Sequence, residues 1–284
     1  MLDYHSTPIQ ELFDPLFVEN DVRLFVKRED LNHPTVSGNK WWKLKYNLDE
    51  ALRLSQDTLL TYGGAFSNHI FATAAAAHAA GLKSIGVIRG EETLPLNNIL
   101  LFAQSQGMIL YYASREDFKR KNGNHEIRNL KDKFGEFYLI PEGGSNELAI
   151  KGVEEFARIL GTDFDYLCCA VGTGATLAGL IRGLKGEKII LGFTVLKGDG
   201  WEDEVQCFNP IYSNWSLIKD YHQGGYAKTN SSLSQFMTSF TVQHSIPLEH
   251  VYTGKMFKGI YDLISKGDFK RGSKIMAIHS GGIH

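Results

Sequence analysis

In residues 35–46, Thr-Val-Ser-Gly-Asn-Lys-Trp-Trp-Lys-Leu-Lys-Tyr, one lysine stands apart from its neighbours. Lys40 directly follows a Ser-Gly-Asn turn, on what reads as the first turn of a helix. The unpaired N–H groups of a helix start disfavour an ammonium, which lowers the amine's pKa and makes it a nucleophile. An amine so placed can condense with an aldehyde, and pyridoxal phosphate is the aldehyde cofactor that proteins hold through such a Schiff base. Lys43 and Lys45 continue into an amphipathic stretch and read as its charged face. A lone lysine is weak ground for this chemistry, so the rest of the chain has to supply a phosphate site.

The turn Gly172-Thr173-Gly174-Ala175-Thr176 is one candidate, because it follows the apolar run 166–171 and opens a helical stretch. Successive backbone N–H groups and two hydroxyls would converge there at a helix N-terminus, an arrangement that receives an anion. A dinucleotide fingerprint fits poorly: the third glycine falls at Gly179, too late for G-x-G-x-x-G, and no Gly-Lys-Ser/Thr follows to make a P-loop. A tight strand-to-helix turn with no ligand explains the glycines equally well. A second turn, Gly63-Gly64-Ala65-Phe66-Ser67-Asn68-His69, again joins a strand to a helix, and its orphan N–H groups could hold a carboxylate. Ser67 or Asn68 suits an N-cap, and His69 taken alone reads as packing or capping. Ser67 and His69 lie two residues apart and make no hydrolase pair without a strained elbow. No His-Glu-x-x-His and no Cys-His cluster suggests a metal.

The elements that must position these turns alternate. An amphipathic run to Leu54 precedes strand 58–62, helix 67–80, strand 84–88, helix 96–106 and strand 108–113. A helical stretch 115–134, broken near Asn122-Gly123, leads to strand 137–140, helix 146–160, strand 166–171, helix 175–184 and strand 189–195. Such alternation predicts an α/β fold of open, mostly parallel twisted sheets flanked by helices. Residues 197–225 have weak periodicity and receive no assignment. With 284 residues, 43% hydrophobic and 22% charged, and a formal net charge of -2, the composition is that of a globular small-molecule protein. It lacks both the bias of a disordered chain and the basic footprint of a nucleic-acid binder. The N-terminal Met-Leu-Asp-Tyr-His-Ser-Thr-Pro has no signal-peptide pattern, and the most apolar stretch, 70–82, is too short to span a membrane, so a cytoplasmic location without a membrane partner is expected. Adjacent Cys168 and Cys169 would point to opposite faces of a strand and read as packing.

Taken in order, Lys27-Arg28-Glu29-Asp30, Ser37-Gly38-Asn39-Lys40, Gly63-Gly64 with Ser67-Asn68-His69, Pro141-Glu142-Gly143-Gly144-Ser145, Gly172-Thr173-Gly174, Tyr252-Thr253-Gly254-Lys255 and His279-Ser280-Gly281-Gly282 resemble one family. It is the 1-aminocyclopropane-1-carboxylate deaminase and D-cysteine desulfhydrase family, pyridoxal-phosphate enzymes of fold type II in the tryptophan-synthase β-like group. The likeness runs from about Thr7 to Gly282, and the ordered set is far more specific than any one motif. It implies a large cofactor-binding domain made of residues 1–47 and 137–284, a small α/β domain of residues 48–136 inserted in it, pyridoxal 5'-phosphate between them, and a homodimer. The resemblance makes Lys40 the Schiff-base lysine and Asn68 the partner of the cofactor's phenolic oxygen, and gives the phosphate to Gly172, Thr173, Gly174, Ala175 and Thr176. Ser67, with Asn68 and His69, would meet the substrate. Tyr226 and Tyr252 would be active-site tyrosines, although Lys228-Thr229 departs from the family's pattern after the first of them, and Thr253 would contact the pyridine nitrogen.

The ring-opening deaminases of that family carry a glutamate after the second tyrosine, an anion that keeps the pyridine nitrogen protonated and the ring a strong electron sink. Here the residue is Thr253, and the D-cysteine desulfhydrases are similar in carrying Tyr-Thr-Gly-Lys. A neutral hydroxyl does not raise the nitrogen's pKa as a carboxylate does. Expelling a thiolate from Cβ asks less of the sink than opening an unactivated cyclopropane. The sequence therefore predicts β-elimination from a small, D-cysteine-like amino acid, giving pyruvate, ammonia and sulfide, and a shift towards ring opening on Thr253→Glu. Ring opening of 1-aminocyclopropane-1-carboxylate to 2-oxobutanoate and ammonia is the alternative reaction. A non-catalytic binding protein that keeps the fold is the alternative from another class.

Overall fold

The computed structural model describes residues 2–121, 123–208 and 211–283. Asn122, in the expected helix break, residues 209 and 210, in the unassigned stretch, and both terminal residues lie outside the described residues. The strands are β1 (Ile9–Leu12), β2 (Arg23–Lys27), β3 (Thr58–Gly63), β4 (Lys83–Arg89), β5 (Met108–Ala113), β6 (Tyr138–Ile140), β7 (Tyr166–Val171), β8 (Ile189–Thr194), β9 (Trp215–Ile218) and β10 (Lys274–Ile278). They form two sheets, one in the order β1-β2-β10-β7-β8-β9 and one in the order β5-β4-β3-β6. Every pairing is parallel except that of β1 with β2. All six residues of β3 are buried, as a central strand covered on both faces requires. Cys168 and Cys169 do separate across β7: the first belongs to the core that contains Val26 and Phe257, the second to the core that contains Trp42 and Leu177. Burial pushes the Cys169 thiol up to about 12, in keeping with a packing role. Among the described residues, no helix is long and apolar enough to cross a membrane.

Strand β6 corrects the expected boundary at 136/137, which put it in the larger unit. It joins the four-stranded sheet because Tyr138, Leu139 and Ile140 pair in parallel with Leu59, Leu60 and Thr61. The unassigned stretch holds helix Trp201–Phe208 and strand β9. Strands β1, β2 and β10 received no assignment from the local pattern: β1 pairs with the nearby β2, and β10 joins β2 from the opposite end of the chain.

Strand order reverses beside both glycine turns. Strand β3 has its successor β4 on one side and β6 on the other, and β7 lies between β8 and β10. Crevices outside the carboxyl ends of such strands are where open α/β sheets bind ligands.

The helix Asn39–Arg53 is anchored by a buried carboxylate. Glu29 is fully buried, and its side chain accepts hydrogen bonds from the Trp42 indole at 2.7 Å, the Asn32 amide at 2.9 Å and the Thr7 hydroxyl at 2.5 Å, with the Lys27 ammonium 3.7 Å away. A charge so deep persists only with partners of this kind. The Glu29 carbonyl also accepts from Gly38 N at 2.9 Å, and Asn39 N donates to the Ser280 carbonyl at 3.3 Å. The Lys-Arg-Glu-Asp motif is thus a structural device that fixes where the lysine-bearing helix begins.

Candidate active site

The carboxyl ends of β3 and β7, the start of helix Asn39–Arg53 and the loop after β10 close around a cleft that opens to solvent. Lys40, Ser67, Asn68, His69, Gly172, Thr173, Gly174, Thr176, Tyr226 and Tyr252 all line it. Lys40 Nζ lies 3.3 Å from Asn39 Oδ1, and Asn39 Nδ2 donates to Thr176 Oγ1 at 2.8 Å. One asparagine therefore ties the amine to the turn at residues 172–176. Desolvation lowers the Lys40 pKa to about 8, and the charge of Glu249 opposes the shift. Burial, and not the helix start inferred from sequence, is the main cause.

Helix Ala175–Leu184 begins with Gly174 as N-cap, and no side chain caps it, so its first-turn N–H groups face the crevice end of β7. Thr173 Oγ1 accepts from Ser145 Oγ at 2.6 Å. The Tyr252 ring lies so close to Gly172 that a Cβ added there would stand 3.2 Å from it. Ala175 is buried and its side chain does not line the cleft; what it offers an anion is its backbone N–H.

On the facing wall Ser67 is the N-cap of helix Asn68–Ala79, accepting from His69 N and Ile70 N at 3.3 Å each. His69 is 2% exposed; Nε2 lies 2.9 Å from Thr61 Oγ1, and Nδ1 has no hydrogen-bond partner among the described residues. Burial, reinforced by Lys40 and Lys43, holds its pKa well below the usual histidine value, so the ring is neutral. A Cβ on Gly282 would fall 2.2 Å from Asn68 Nδ2, which places that amide against the loop after β10.

A family model described as pyridoxal-phosphate dependent enzyme matches residues 1–281. The chain belongs to that family. A Pyrococcus abyssi protein provisionally named 1-aminocyclopropane-1-carboxylate deaminase is 33% identical, over 98% of this chain and 89% of the relative. An Arabidopsis thaliana protein, named bifunctional D-cysteine desulfhydrase/1-aminocyclopropane-1-carboxylate deaminase, mitochondrial, is 31% identical over 93% of this chain and 73% of its own. The crystal structure of a 1-aminocyclopropane-1-carboxylate deaminase homologue superposes with a TM-score of 0.88 at 31% identity, covering 100% of this chain and 91% of that one. The fold is thus fold type II, and the protein is a pyridoxal-phosphate-dependent enzyme.

The cleft of this family member suits its cofactor in two respects. An uncapped helix N-terminus with the Thr173 and Thr176 hydroxyls can hold a phosphate without a guanidinium, and a desolvated lysine stands one asparagine away from it. At pH 7 about a tenth of amines with a pKa near 8 are neutral, against about three in ten thousand for an ordinary lysine. Uptake of pyridoxal phosphate by the apoprotein should therefore rise as pH goes from about 6.5 to 8.5 and flatten above about 9, followed by absorbance. A rate still climbing at pH 10 would mean an unperturbed amine.

Two sequence expectations are corrected. Thr253 does not line the cleft: it is fully buried, donates from its hydroxyl to Glu249 Oε1 at 3.2 Å and from its N–H to the same oxygen at 2.6 Å. Helix Thr253–Ser265 starts there, and the Glu249 carboxylate collects its orphan N–H groups, including those of Val251 and Tyr252. Lys43 is no surface charge. It is 2% exposed, lines the cleft and donates to the Gly143 carbonyl at 2.9 Å, while burial and then the Lys40 charge hold its pKa well below the usual lysine value. Spacing could have revealed it, since residues i and i+3 share a helix face. Arg89, Glu142 and Ser280 also line the cleft, and sequence reasoning gave none of them a role.

Proposed function

We propose that the chain carries pyridoxal phosphate on Lys40 and catalyses β-elimination from a small amino acid, D-cysteine-like, to pyruvate, ammonia and sulfide. The observation behind this choice is the lack of a free carboxylate at the cleft: among the described residues that line it the one acid, Glu142, is paired with Lys121. Where the ring-opening enzymes of the resemblance hold a glutamate this chain has the buried Thr253, and the nearby Glu249 carboxylate is taken up by the three N–H groups of residues 251–253. The bound cofactor supplies an electron sink for bond cleavage at the substrate's Cα and Cβ. The residues around it divide the remaining work. Ser67 and the first N–H groups of helix Asn68–Ala79 orient the substrate carboxylate, with neutral His69 behind them. Lys40, whose amine is neutral to a useful extent near pH 8, takes the Cα proton and can pass it on to the departing group. Burial raises the phenols of Tyr226 and Tyr252, so both stay protonated and can donate hydrogen bonds to the departing group.

Ring opening is the second reading, supported by the names that the Pyrococcus and Arabidopsis relatives carry. Pyruvate and sulfide release from D-cysteine, measured beside 2-oxobutanoate release from 1-aminocyclopropane-1-carboxylate with the same holoenzyme, separates the two. The kcat/KM for D-cysteine should be at least about tenfold higher, a difference of about 1.4 kcal/mol between transition states. The reverse preference would reject β-elimination as the main activity. The family resemblance extends the proposal to a cytoplasmic homodimer, whose subunit count sedimentation would give.

A further inference from the structure

We propose that Arg89 selects substrates with a second negative charge, carried on the Cβ substituent, in addition to the α-carboxylate. This rests on the β-elimination reading above and names the substrate class within it. Arg89 is the last residue of β4, beside the carboxyl end of β3, where Ile88 pairs with Gly63. Its guanidinium lines the cleft, with Nη2 3.5 Å from where a Cβ on Gly64 would stand. Two rings flank it: the Phe118 centroid lies 5.7 Å from Cζ and the Tyr226 centroid 5.9 Å. Aromatic faces hold a guanidinium in place while leaving its N–H edge free for an anion.

What that edge meets decides its use. Among the described residues, no carboxylate lies within ion-pair distance of Arg89 and no hydrogen bond engages it, although most arginines of the chain have a carboxylate partner. The acid that shares the cleft, Glu142, is paired with Lys121 at 3.1 Å. Of the other basic groups in the cleft, Lys40 would carry the cofactor and Lys43 is held by the Gly143 carbonyl. The α-carboxylate has its own site at the Ser67 turn. A permanent cation is thus left at the wall formed by Gly64 and Tyr226, suited to a sulfate, thiosulfate or carboxylate on Cβ. With D-serine O-sulfate the Cα–H and Cβ–O bonds break, the proton passing to Lys40 and the electron pair leaving on sulfate, and water completes pyruvate and ammonium. A cyclopropane ring offers Arg89 nothing.

The experiment compares wild-type holoenzyme with Arg89→Gln and Arg89→Lys on D-serine O-sulfate and on β-chloro-D-alanine, which is uncharged at Cβ. Binding of D-aspartate and D-alanine, neither of which has a group that can leave from Cβ with the bonding pair, is measured by calorimetry alongside. Arg89→Gln should lose about 10- to 100-fold in kcat/KM on the sulfate ester and in D-aspartate affinity, with β-chloro-D-alanine changed by no more than about twofold and Arg89→Lys in between. Equal losses on both substrates, or D-aspartate binding no tighter than D-alanine in the wild type, would overturn the assignment. No pyruvate from β-chloro-D-alanine, with Arg89-dependent D-aspartate binding intact, would instead remove the β-elimination reading and leave the anion site standing.

Discussion

Lys40→Ala should lower kcat/KM by at least about ten-thousand-fold and abolish covalent retention of the cofactor, while the protein stays folded. The size of the effect follows from two duties on one amine: it would hold the cofactor aldehyde, and it would then move the Cα proton. No neighbour can substitute. Lys43 is buried with its amine nitrogen on the Gly143 carbonyl, and reaching the cofactor would break that hydrogen bond. Stability should move the other way. Because the folded-state pKa of Lys40 is lowered to about 8 from 10.5, the charged amine disfavours folding fully below about pH 8, and the penalty is relieved as pH rises towards 10.5. The alanine variant of the apoprotein should therefore melt higher than wild type at pH 7, by a margin that shrinks by pH 10. Borohydride treatment of the wild-type holoenzyme followed by peptide mass spectrometry checks the attachment. A label on Lys43 or Lys45, or normal turnover in the variant, would remove Lys40 from the centre of the site.

The parts of this protein that sequence made legible are those set by short-range patterns. The Ser-Gly-Asn-Lys turn, the two glycine turns and the alternation between 58 and 195 depend on neighbouring residues, and each lies in the structure where those patterns put it. What the sequence hid depends on pairing across the chain. Strands β2 and β10 are about 250 residues apart, and no local alternation announces their partnership. Thr253 is the instructive miss. Family likeness placed it at the pyridine nitrogen, yet its hydroxyl and N–H are drawn to Glu249, four residues back, by the capping needs of a helix start. The Thr253→Glu change suggested by sequence would set a second carboxylate beside Glu249 in a fully buried position, so it would report on burial of like charge and not on the cofactor's electronics. Arg89 was hidden for a different reason: an arginine ending a strand has no motif, and its meaning comes from the partners it lacks.

Gly38→Ala should have the second largest effect, because it strikes the point where the lysine helix meets the end of the chain. Gly38 has φ of 69° and ψ of -144°, a backbone that disfavours any L side chain. An added Cβ would stand 1.8 Å from the Ser280 carbonyl oxygen and 2.7 Å from Gly281 N. Both obstacles are backbone, so neither can rotate aside, and the turn must move away from the 280–282 loop. The left-handed strain costs about 1–2 kcal/mol and the overpacking about 1–3 kcal/mol. Together they predict a fall in apoprotein Tm of roughly 3–8 °C for a chain of this size. Cofactor affinity should fall as well, by at least about tenfold, because the Asn39 N–H to Ser280 contact that sets the direction of Lys40 is the first to be lost. Gly90→Ala separates the two causes: Gly90 has φ of 99° and nothing within 4 Å of an added Cβ, so it meets backbone strain alone, far from any collision. If Gly38→Ala melts no lower than Gly90→Ala and keeps its cofactor, the close approach of the two loops is not what holds the amine in place.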